Sequence, residues 1–120
     1  MKKVLIVEDN LVLSELMENL LSKEDFEVAA ERDGLESLKA VARFAPDLIV
    51  LDAVLPGMDG LTIQKKLEED PLTRRIPILL ISGNAQLEQA FVDKANVAGF
   101  VQKPFSPAEL VAKVREALKG

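Results

Sequence analysis

Short apolar runs rich in valine, isoleucine and leucine alternate along this chain with longer stretches in which apolar residues recur at helical spacing. Runs of the first kind predict strands and stretches of the second kind predict amphipathic helices, so the alternation indicates βα units around a parallel sheet. We count five such units. The predicted strands cover residues 4–7, 26–30, 48–51, 76–81 and 100–101. The first predicted helix begins after Asn10 and the second at Asp33-Gly34. The third covers residues 61–69, the fourth covers residues 85–95, and the last opens with residues 106–109.

Two helix ends carry further local signals. Ser106-Pro107-Ala108-Glu109 combines an N-cap serine, a proline at the first helical position and the glutamate of a capping box, which predicts the start of the last helix. Asn96 follows the fourth predicted helix, where helices commonly need a residue in the left-handed conformation. Since asparagine tolerates that conformation next best after glycine, we expect the fourth helix to run from residue 85 to 95 and to end at Asn96.

Polar side chains follow four of the predicted strands at the point where each strand ends. They are Glu8-Asp9, Asp52, Ser82 and Lys103. Because the carboxyl ends of parallel strands line one crevice in an open α/β sheet, we expect these side chains to share a site. Carboxylates packed that closely repel and raise one another's pKa unless a cation neutralises them, so the cluster favours a hard divalent metal.

Length and composition narrow the class of protein. The 120 residues fit a single domain, predicted over 1–120. A net charge of -5 disfavours direct binding to nucleic acid or to an anionic membrane, since both need excess positive charge. The chain has neither a signal-peptide core nor an apolar run that could span a membrane, and it lacks cysteine, which together predict a cytoplasmic protein. Histidine is also absent, so any imidazole chemistry must come from a partner.

Over essentially its whole length the chain resembles the receiver domain of two-component response regulators. Five motifs carry the resemblance in order: Val7-Glu8-Asp9, Asp52 with Pro56-Gly57-Met58-Asp59-Gly60 behind it, Ser82-Gly83, Phe100, and Lys103-Pro104-Phe105. The resemblance implies an α/β fold, a single (βα)5 flavodoxin-like domain with strand order 2-1-3-4-5 and helices on both faces of the sheet. It also implies a phosphoryl-accepting signalling switch, which is not an enzyme beyond its own phosphorylation and dephosphorylation.

The residue types fit that chemistry. A carboxylate can attack phosphorus, so Asp52 is the expected phosphoacceptor, and oxygen ligands from Asp9 and Asp52, with Glu8 acting through water, suit Mg²⁺. Lys103 can pair with Asp52 before the reaction and with a phosphoryl oxygen afterwards. The resemblance adds three roles: the backbone carbonyl of Val54 as a further metal ligand, Pro104 as a cis-proline, and Ser82 with Phe100 as the switch pair that changes a surface of helix four, strand five and helix five.

The chain departs from the family pattern at several positions. Ser82 and Phe100 stand where the family often has threonine and tyrosine, so the switch ring has no hydroxyl. Ala98-Gly99 replace frequently acidic residues. The apolar Val54 cannot position a hydrolytic water by hydrogen bonding, which predicts a fairly long-lived acyl phosphate.

Each site residue also has a plain structural interpretation. Glu8-Asp9 and Ser82 could cap helices, Asp52 could be a turn residue, Lys103 a solvated surface lysine, Phe100 a core residue and Pro104 an ordinary trans loop residue. Other functions that fit the fold are a pseudo-receiver that binds partners without phosphorylation, a flavodoxin-like cofactor binder, and a metal-dependent phosphohydrolase. The first helix has no glycine-rich phosphate loop, and we find no general acid besides the clustered carboxylates, which disfavours the last two.

The expected partners follow from the resemblance. The phosphoryl donor would be a histidine kinase or a histidine phosphotransfer protein. The output would be a protein target bound in trans or an effector domain outside this chain. The expected state is a monomer that can dimerise on phosphorylation.

Overall fold

The computed structural model describes residues 1–119. The strands are β1 (Lys3–Val7), β2 (Glu27–Glu31), β3 (Leu48–Asp52), β4 (Ile78–Ser82) and β5 (Val97–Gln102). The helices are α1 (Leu11–Ser22), α2 (Gly34–Phe44), α3 (Gly60–Glu69), α4 (Ala85–Gln89) and α5 (Pro107–Lys119). All the strands run parallel in one sheet of order β2-β1-β3-β4-β5, which confirms the predicted flavodoxin-like fold.

The core lies on both faces of the sheet because successive strand residues point to opposite sides. In β1, Val4 and Ile6 belong to one apolar cluster and Leu5 and Val7 to the other. The first cluster takes in buried residues of α1 and α5, and the second takes in buried residues of α2 and α3. β1, β3 and β4 are therefore buried on both faces, which explains their unbroken apolar runs.

Side-chain caps fix where the helices begin. Asn10, Asp33 and Asp59 each accept a backbone N–H of the first turn, from Leu13, Leu35 and Thr62 respectively, at 2.8 to 2.9 Å. At α5 the Ser106 hydroxyl oxygen accepts the Glu109 N–H at 3.1 Å, which confirms the predicted start of that helix. These caps set the start of each helix relative to the strand end that precedes it.

The prediction for the fourth helix was wrong in length. α4 ends at Gln89, and the residues after it form turns closed by the bonds Phe91 N–H to Glu88 O and Lys94 N–H to Phe91 O. The helix buries no residue of its own, so packing against the sheet does little to stabilise a longer helix. The buried residue is Phe91, which lies beyond the end of the helix.

The prediction of a left-handed Asn96 was also wrong. The positive-φ residues other than glycine are Asp25 and Ala45, and Ala45 ends α2 in the left-handed conformation. Asn96 is instead 5% exposed and is held by a long-range side-chain contact described below. None of the described helices has the length and apolar character needed to cross a bilayer.

Candidate functional site

The carboxyl ends of β1, β3 and β5 bring Glu8, Asp52 and Lys103 together. The Lys103 ammonium donates a hydrogen bond of 2.9 Å to Asp52 Oδ2 and lies 3.1 Å from Glu8 Oε1. The backbone positions the lysine, since Lys103 N–H donates to Ser82 O at 2.8 Å where β5 leaves β4. One cation thus pairs with two buried carboxyl groups at the ends of neighbouring strands.

Glu8 is the most deeply buried acid of the cluster, with 1% of the residue exposed. Its Oε2 accepts the Asn10 N–H at 3.1 Å. Its Oε1 lies within ion-pair distance of Lys103, but it has no well-directed hydrogen-bond donor among the described residues. Burial, followed by the hydrogen bond and charge of the neighbouring Asp52, raises the pKa of Glu8 to about 7. Near neutral pH the Glu8 carboxyl group can therefore lose its proton when a divalent cation binds beside it.

Asp52 is 6% exposed at the end of β3. Its Oδ1 accepts the Val54 N–H at 3.0 Å, so the turn role considered for this residue is real. Its Oδ2 faces Lys103, so the turn does not account for the whole side chain. The start of α3 packs directly behind it, because a Cβ on Gly60 would lie 2.9 Å from the carbonyl oxygens of Asp52 and Ala53.

Asp9 completes an acidic group with Glu8 and Asp52. One carboxylate oxygen from each lies within 4.8 Å of the others, with Asp9 exposed and the other two buried. Hard oxygen donors, one of them a buried oxygen that lacks a directed donor, are the ligands a small divalent cation prefers. The three residues therefore fit Mg²⁺.

Lys103 is not the solvated surface lysine considered from the sequence, since its side chain is 30% exposed and paired. Burial by itself would lower the pKa of Lys103, but the hydrogen bonds and charges of Asp52 and Glu8 outweigh it and raise the pKa. The ammonium therefore stays charged through the physiological range. The Lys103-Pro104 peptide bond is cis, the isomer that the resemblance implied.

Ser82 and Phe100 lie near this cluster without joining it. The Ser82 hydroxyl is buried and donates to Asn84 O at 3.1 Å rather than to Asp52. Asn84, not Ser82, caps α4, by accepting the Leu87 N–H at 3.0 Å. Phe100 is half-buried and packs against the second apolar cluster. The side chain of Val54 is 60% exposed beside the site.

Sequence reasoning missed how the loop after β3 is held. A Cβ on Gly34 would overlap backbone atoms of Met58 and Pro56, and one on Gly57, whose φ is 83°, would lie 3.1 Å from Asp33 Oδ1. The first turn of α2 therefore packs tightly against the loop that follows Asp52. Asp33-Gly34 indicated only a helix start, because a close backbone approach between distant segments leaves no local signal.

Comparison with known families decides the identity of this arrangement. The family model of the response regulator receiver domain matches residues 4–115. This chain belongs to that family. It is a receiver domain of the two-component response regulator type, and receiver domains are signalling domains rather than enzymes of the usual kind.

Two curated relatives show the larger proteins in which such receiver domains occur. Response regulator PleD of Caulobacter vibrioides is 38% identical over 116 residues, which cover 94% of this chain and 25% of PleD. The DNA-binding response regulator MtrA of Mycobacterium tuberculosis is 33% identical over 119 residues, which cover 98% of this chain and 51% of MtrA. The chain thus spans between a quarter and about half of the relatives it matches.

A solved structure gives a direct view of a related site. The receiver domain of the sensor histidine kinase PA1611 from Pseudomonas aeruginosa has a TM-score of 0.89 and 27% identity, over 99% of this chain and 98% of that one. It holds a magnesium ion coordinated in its active site cleft. The acidic group of the present receiver domain agrees in chemistry with such an ion.

Proposed function

We propose that this receiver domain accepts a phosphoryl group on Asp52 and thereby switches the surface that a partner protein binds. One observation carries the proposal: the Lys103 ammonium sits 2.9 Å from Asp52 Oδ2 and 3.1 Å from Glu8 Oε1, in a cluster that has more negative charge than one lysine can neutralise. Such a cluster is costly for a purely structural site and suited to one that takes up a cation and a phosphoryl group.

Mg²⁺ would be held by Asp9 and Asp52, by Glu8 through water, and by the backbone carbonyl of Val54. When bound, the ion supplies positive charge opposite the phosphoryl oxygens. The orphaned Oε1 of Glu8 and the close approach of the three carboxylates support this assignment. The carbonyl of Val54 rests on the family resemblance.

In the transfer step an Asp52 carboxylate oxygen forms a bond to phosphorus while the bond from phosphorus to the donor's imidazole nitrogen breaks. The electron pair of that bond leaves with the imidazole, and Asp52 becomes an acyl phosphate. Lys103 then pairs with a phosphoryl oxygen in place of the carboxylate, since its long stem lets the ammonium follow the charge.

The switch follows from the new oxygens at Asp52. The Ser82 hydroxyl would exchange its bond to Asn84 O for a phosphoryl oxygen and draw the loop after β4 inward. Phe100 would turn into the space that this movement frees, and the surface of α4, β5 and α5 would change. The Phe100 ring is only half-buried, which supports its role as the side chain that turns.

The partners are proposals of the same kind. The donor would be a histidine kinase or a histidine phosphotransfer protein, because the chain has no histidine of its own. The output would pass to a protein target or to an effector domain, as the description of MtrA as DNA-binding suggests. The receiver domain itself would make no direct contact with nucleic acid or membrane. A cytoplasmic location, a single domain over residues 1–120, and a monomer that can dimerise on phosphorylation complete the proposal.

The intact mass of the wild type and of Asp52→Asn after incubation with acetyl phosphate tests this function, with Mg²⁺ or with EDTA. We expect one phosphoryl adduct on the wild type with Mg²⁺, and none with EDTA or on Asp52→Asn. Asp9→Asn serves as the metal-site variant and should slow adduct formation while leaving the acceptor in place. If the wild type gains no adduct with Mg²⁺, the chain is a pseudo-receiver that binds partners through its unmodified surface.

A further inference from the structure

A second buried polar contact lies outside the phosphoacceptor site, between α3 and the segment that joins α4 to β5. Gln64 is 1% exposed and Asn96 is 5% exposed. Gln64 Nε2 donates to Asn96 Oδ1 at 2.8 Å, and Asn96 Nδ2 donates back to the Gln64 backbone O at 3.2 Å. The two residues thus form a reciprocal pair across 32 positions of sequence, with one side-chain to side-chain bond and one side-chain to backbone bond.

The backbone of Asn96 takes part in the same junction. Its carbonyl accepts the Ile78 N–H at 2.8 Å, at the point where β4 begins. Gln64 Nε2 also donates to Glu68 Oε1, one turn along the same helix, at 3.0 Å. A buried amide that lost its partner would leave unsatisfied polar atoms, so the pair resists separation more sharply than an apolar contact would.

The segment that ends at Asn96 is weakly held at its other end. A Cβ on Gly83 would meet no atom within 4 Å, and α4, with five residues, buries none of them. Phe91 is the buried apolar side chain within this stretch. Residues 83–96 therefore form a segment with a loose start beside the site and a fixed end at Asn96.

The fixed end is attached to a helix that starts at the site. Gly60 N–H donates to Ala53 O at 3.3 Å, and Gln64 lies one turn further along α3. The position of Asn96 is therefore set by the same helix that packs behind Asp52, whereas α4 follows directly on the loop after β4 and buries no residue of its own.

We propose that the Gln64–Asn96 amide pair is the anchor that ends the movable output segment, residues 83–96, and keeps β5 in place while α4 rearranges. This inference rests on the proposed function for the rearrangement itself. The anchor confines the backbone rearrangement caused by phosphorylation to residues between Gly83 and Asn96, so that the Phe100 side chain turns while the pairing of β4 with β5 stays intact. Without the anchor, the backbone rearrangement spreads from Asn96 into the start of β5.

Hydrogen exchange read by mass spectrometry tests the anchor on three proteins: the wild type, Gln64→Met and Glu68→Ala. Methionine keeps the length of the glutamine side chain but cannot donate to Asn96 Oδ1. Glu68→Ala is the matched control, because it removes a hydrogen bond of the same Gln64 nitrogen on the same helix without touching Asn96. Each protein is measured alone and with acetyl phosphate and Mg²⁺, and the phosphoryl adduct is read in the same samples.

In the unphosphorylated proteins, Gln64→Met should speed exchange of the Ile78 and Val97 amides about tenfold or more, and Glu68→Ala should leave it within about twofold of the wild type. On phosphorylation, backbone amide exchange in the wild type should change within residues 83–96 and stay unchanged in residues 97–102. Gln64→Met should extend that change into residues 97–102.

The two proposals fail separately. If no adduct forms, the proposed function is wrong, and the anchor is still decided by the unphosphorylated comparison. If the adduct forms and the wild-type change already runs through β5, or if Gln64→Met behaves as Glu68→Ala does, the anchor is wrong. Should Gln64→Met not fold, the wild type decides alone by NMR: side-chain amide protons of Asn96 that exchange at the rate of exposed asparagine would overturn the pair.

Discussion

The two buried polar clusters of this receiver domain are built in opposite ways. The cluster of Glu8, Asp52 and Lys103 is charged, opens toward the exposed Asp9, and contains an oxygen with no directed donor. The pair of Gln64 and Asn96 is neutral: the Gln64 side chain donates to Asn96 Oδ1, and the Asn96 side chain donates to the Gln64 backbone carbonyl. The first is electrostatically incomplete and the second is nearly complete as it stands.

The difference indicates that the charged cluster serves chemistry and that the neutral pair serves the stability of the fold. A charged cluster with an unsatisfied oxygen gains free energy when it takes up a cation or transfers a proton, so its state depends on what is bound. A satisfied neutral pair gains nothing from a ligand and loses free energy when either member is removed.

The largest effect is expected in the pH dependence of Mg²⁺ binding. Because the pKa of Glu8 is raised to about 7, binding below that pH must displace a proton, and the dissociation constant should rise by up to about tenfold for each pH unit below 7. Above pH 7 it should level off. Amide shifts in NMR titrations measure this without tryptophan, which the chain lacks. Glu8→Gln should flatten the curve, and an equally steep curve for that variant would contradict the assignment.

The same raised pKa has a consequence for stability without metal. The folded protein holds the Glu8 proton more tightly than the unfolded chain, in which the glutamate has its ordinary pKa of 4.5. This contribution is fully present below about pH 4.5 and is lost as the pH rises through about 7. The free energy of unfolding of the wild type should fall relative to Glu8→Gln across that window, by urea denaturation at constant salt.

The next effect is the loss of the one cation in the charged cluster. Lys103→Met leaves Glu8 and Asp52 as unpaired neighbours, and at pH 8 it should lower the free energy of unfolding by about 1 to 3 kcal/mol. The cost stays below that of a fully buried pair because solvent reaches the ammonium. Lys65→Met on the exposed side of α3 is the control and should cost little. Equal losses in the two variants would remove the contrast between the clusters.

A double-mutant cycle on the neutral pair should give smaller losses of unfolding free energy, and the double substitution should cost less than the sum of the two single ones. Gln64→Met alone leaves Asn96 without a donor and should cost about 1 to 2 kcal/mol. Adding Asn96→Leu to that variant should cost less than Asn96→Leu does in the wild type, since two apolar groups in contact leave nothing unsatisfied. Denaturant midpoints of the four proteins measure the coupling, and additive losses would show that the amides do not act as a pair.

The smallest effect is expected at the open side of the charged cluster. Val54 has an exposed apolar side chain beside Asp52 and cannot hold a water by hydrogen bonding, so the acyl phosphate should be fairly long-lived. Val54→Gln should shorten its half-life by about tenfold or less, read as decay of the adduct after the donor is removed. Leu61→Gln, at another exposed apolar position, should leave the half-life unchanged. A wild-type half-life of seconds would contradict the prediction.

The sequence alone determined the fold and the membership of the acidic cluster. Apolar runs mark the strands that are buried on both faces. In a parallel sheet every strand ends at the same edge, so the topology places Glu8, Asp52 and Lys103 close together independently of the loop conformations. Caps such as Asn10 and Ser106 are equally local, because side chain and backbone partner lie three residues apart.

Only the tertiary structure decided the rest. The sequence assigned Asn96 to a helix end, but its partner Gln64 lies 32 positions away, and no periodicity reports such a pair. The length of α4 was decided in the same way, since a helix that buries no residue depends on its neighbours rather than on its own propensity. The proton on Glu8 also belongs here: its pKa follows from burial against Asp52, and burial is a property of the folded protein rather than of the residue.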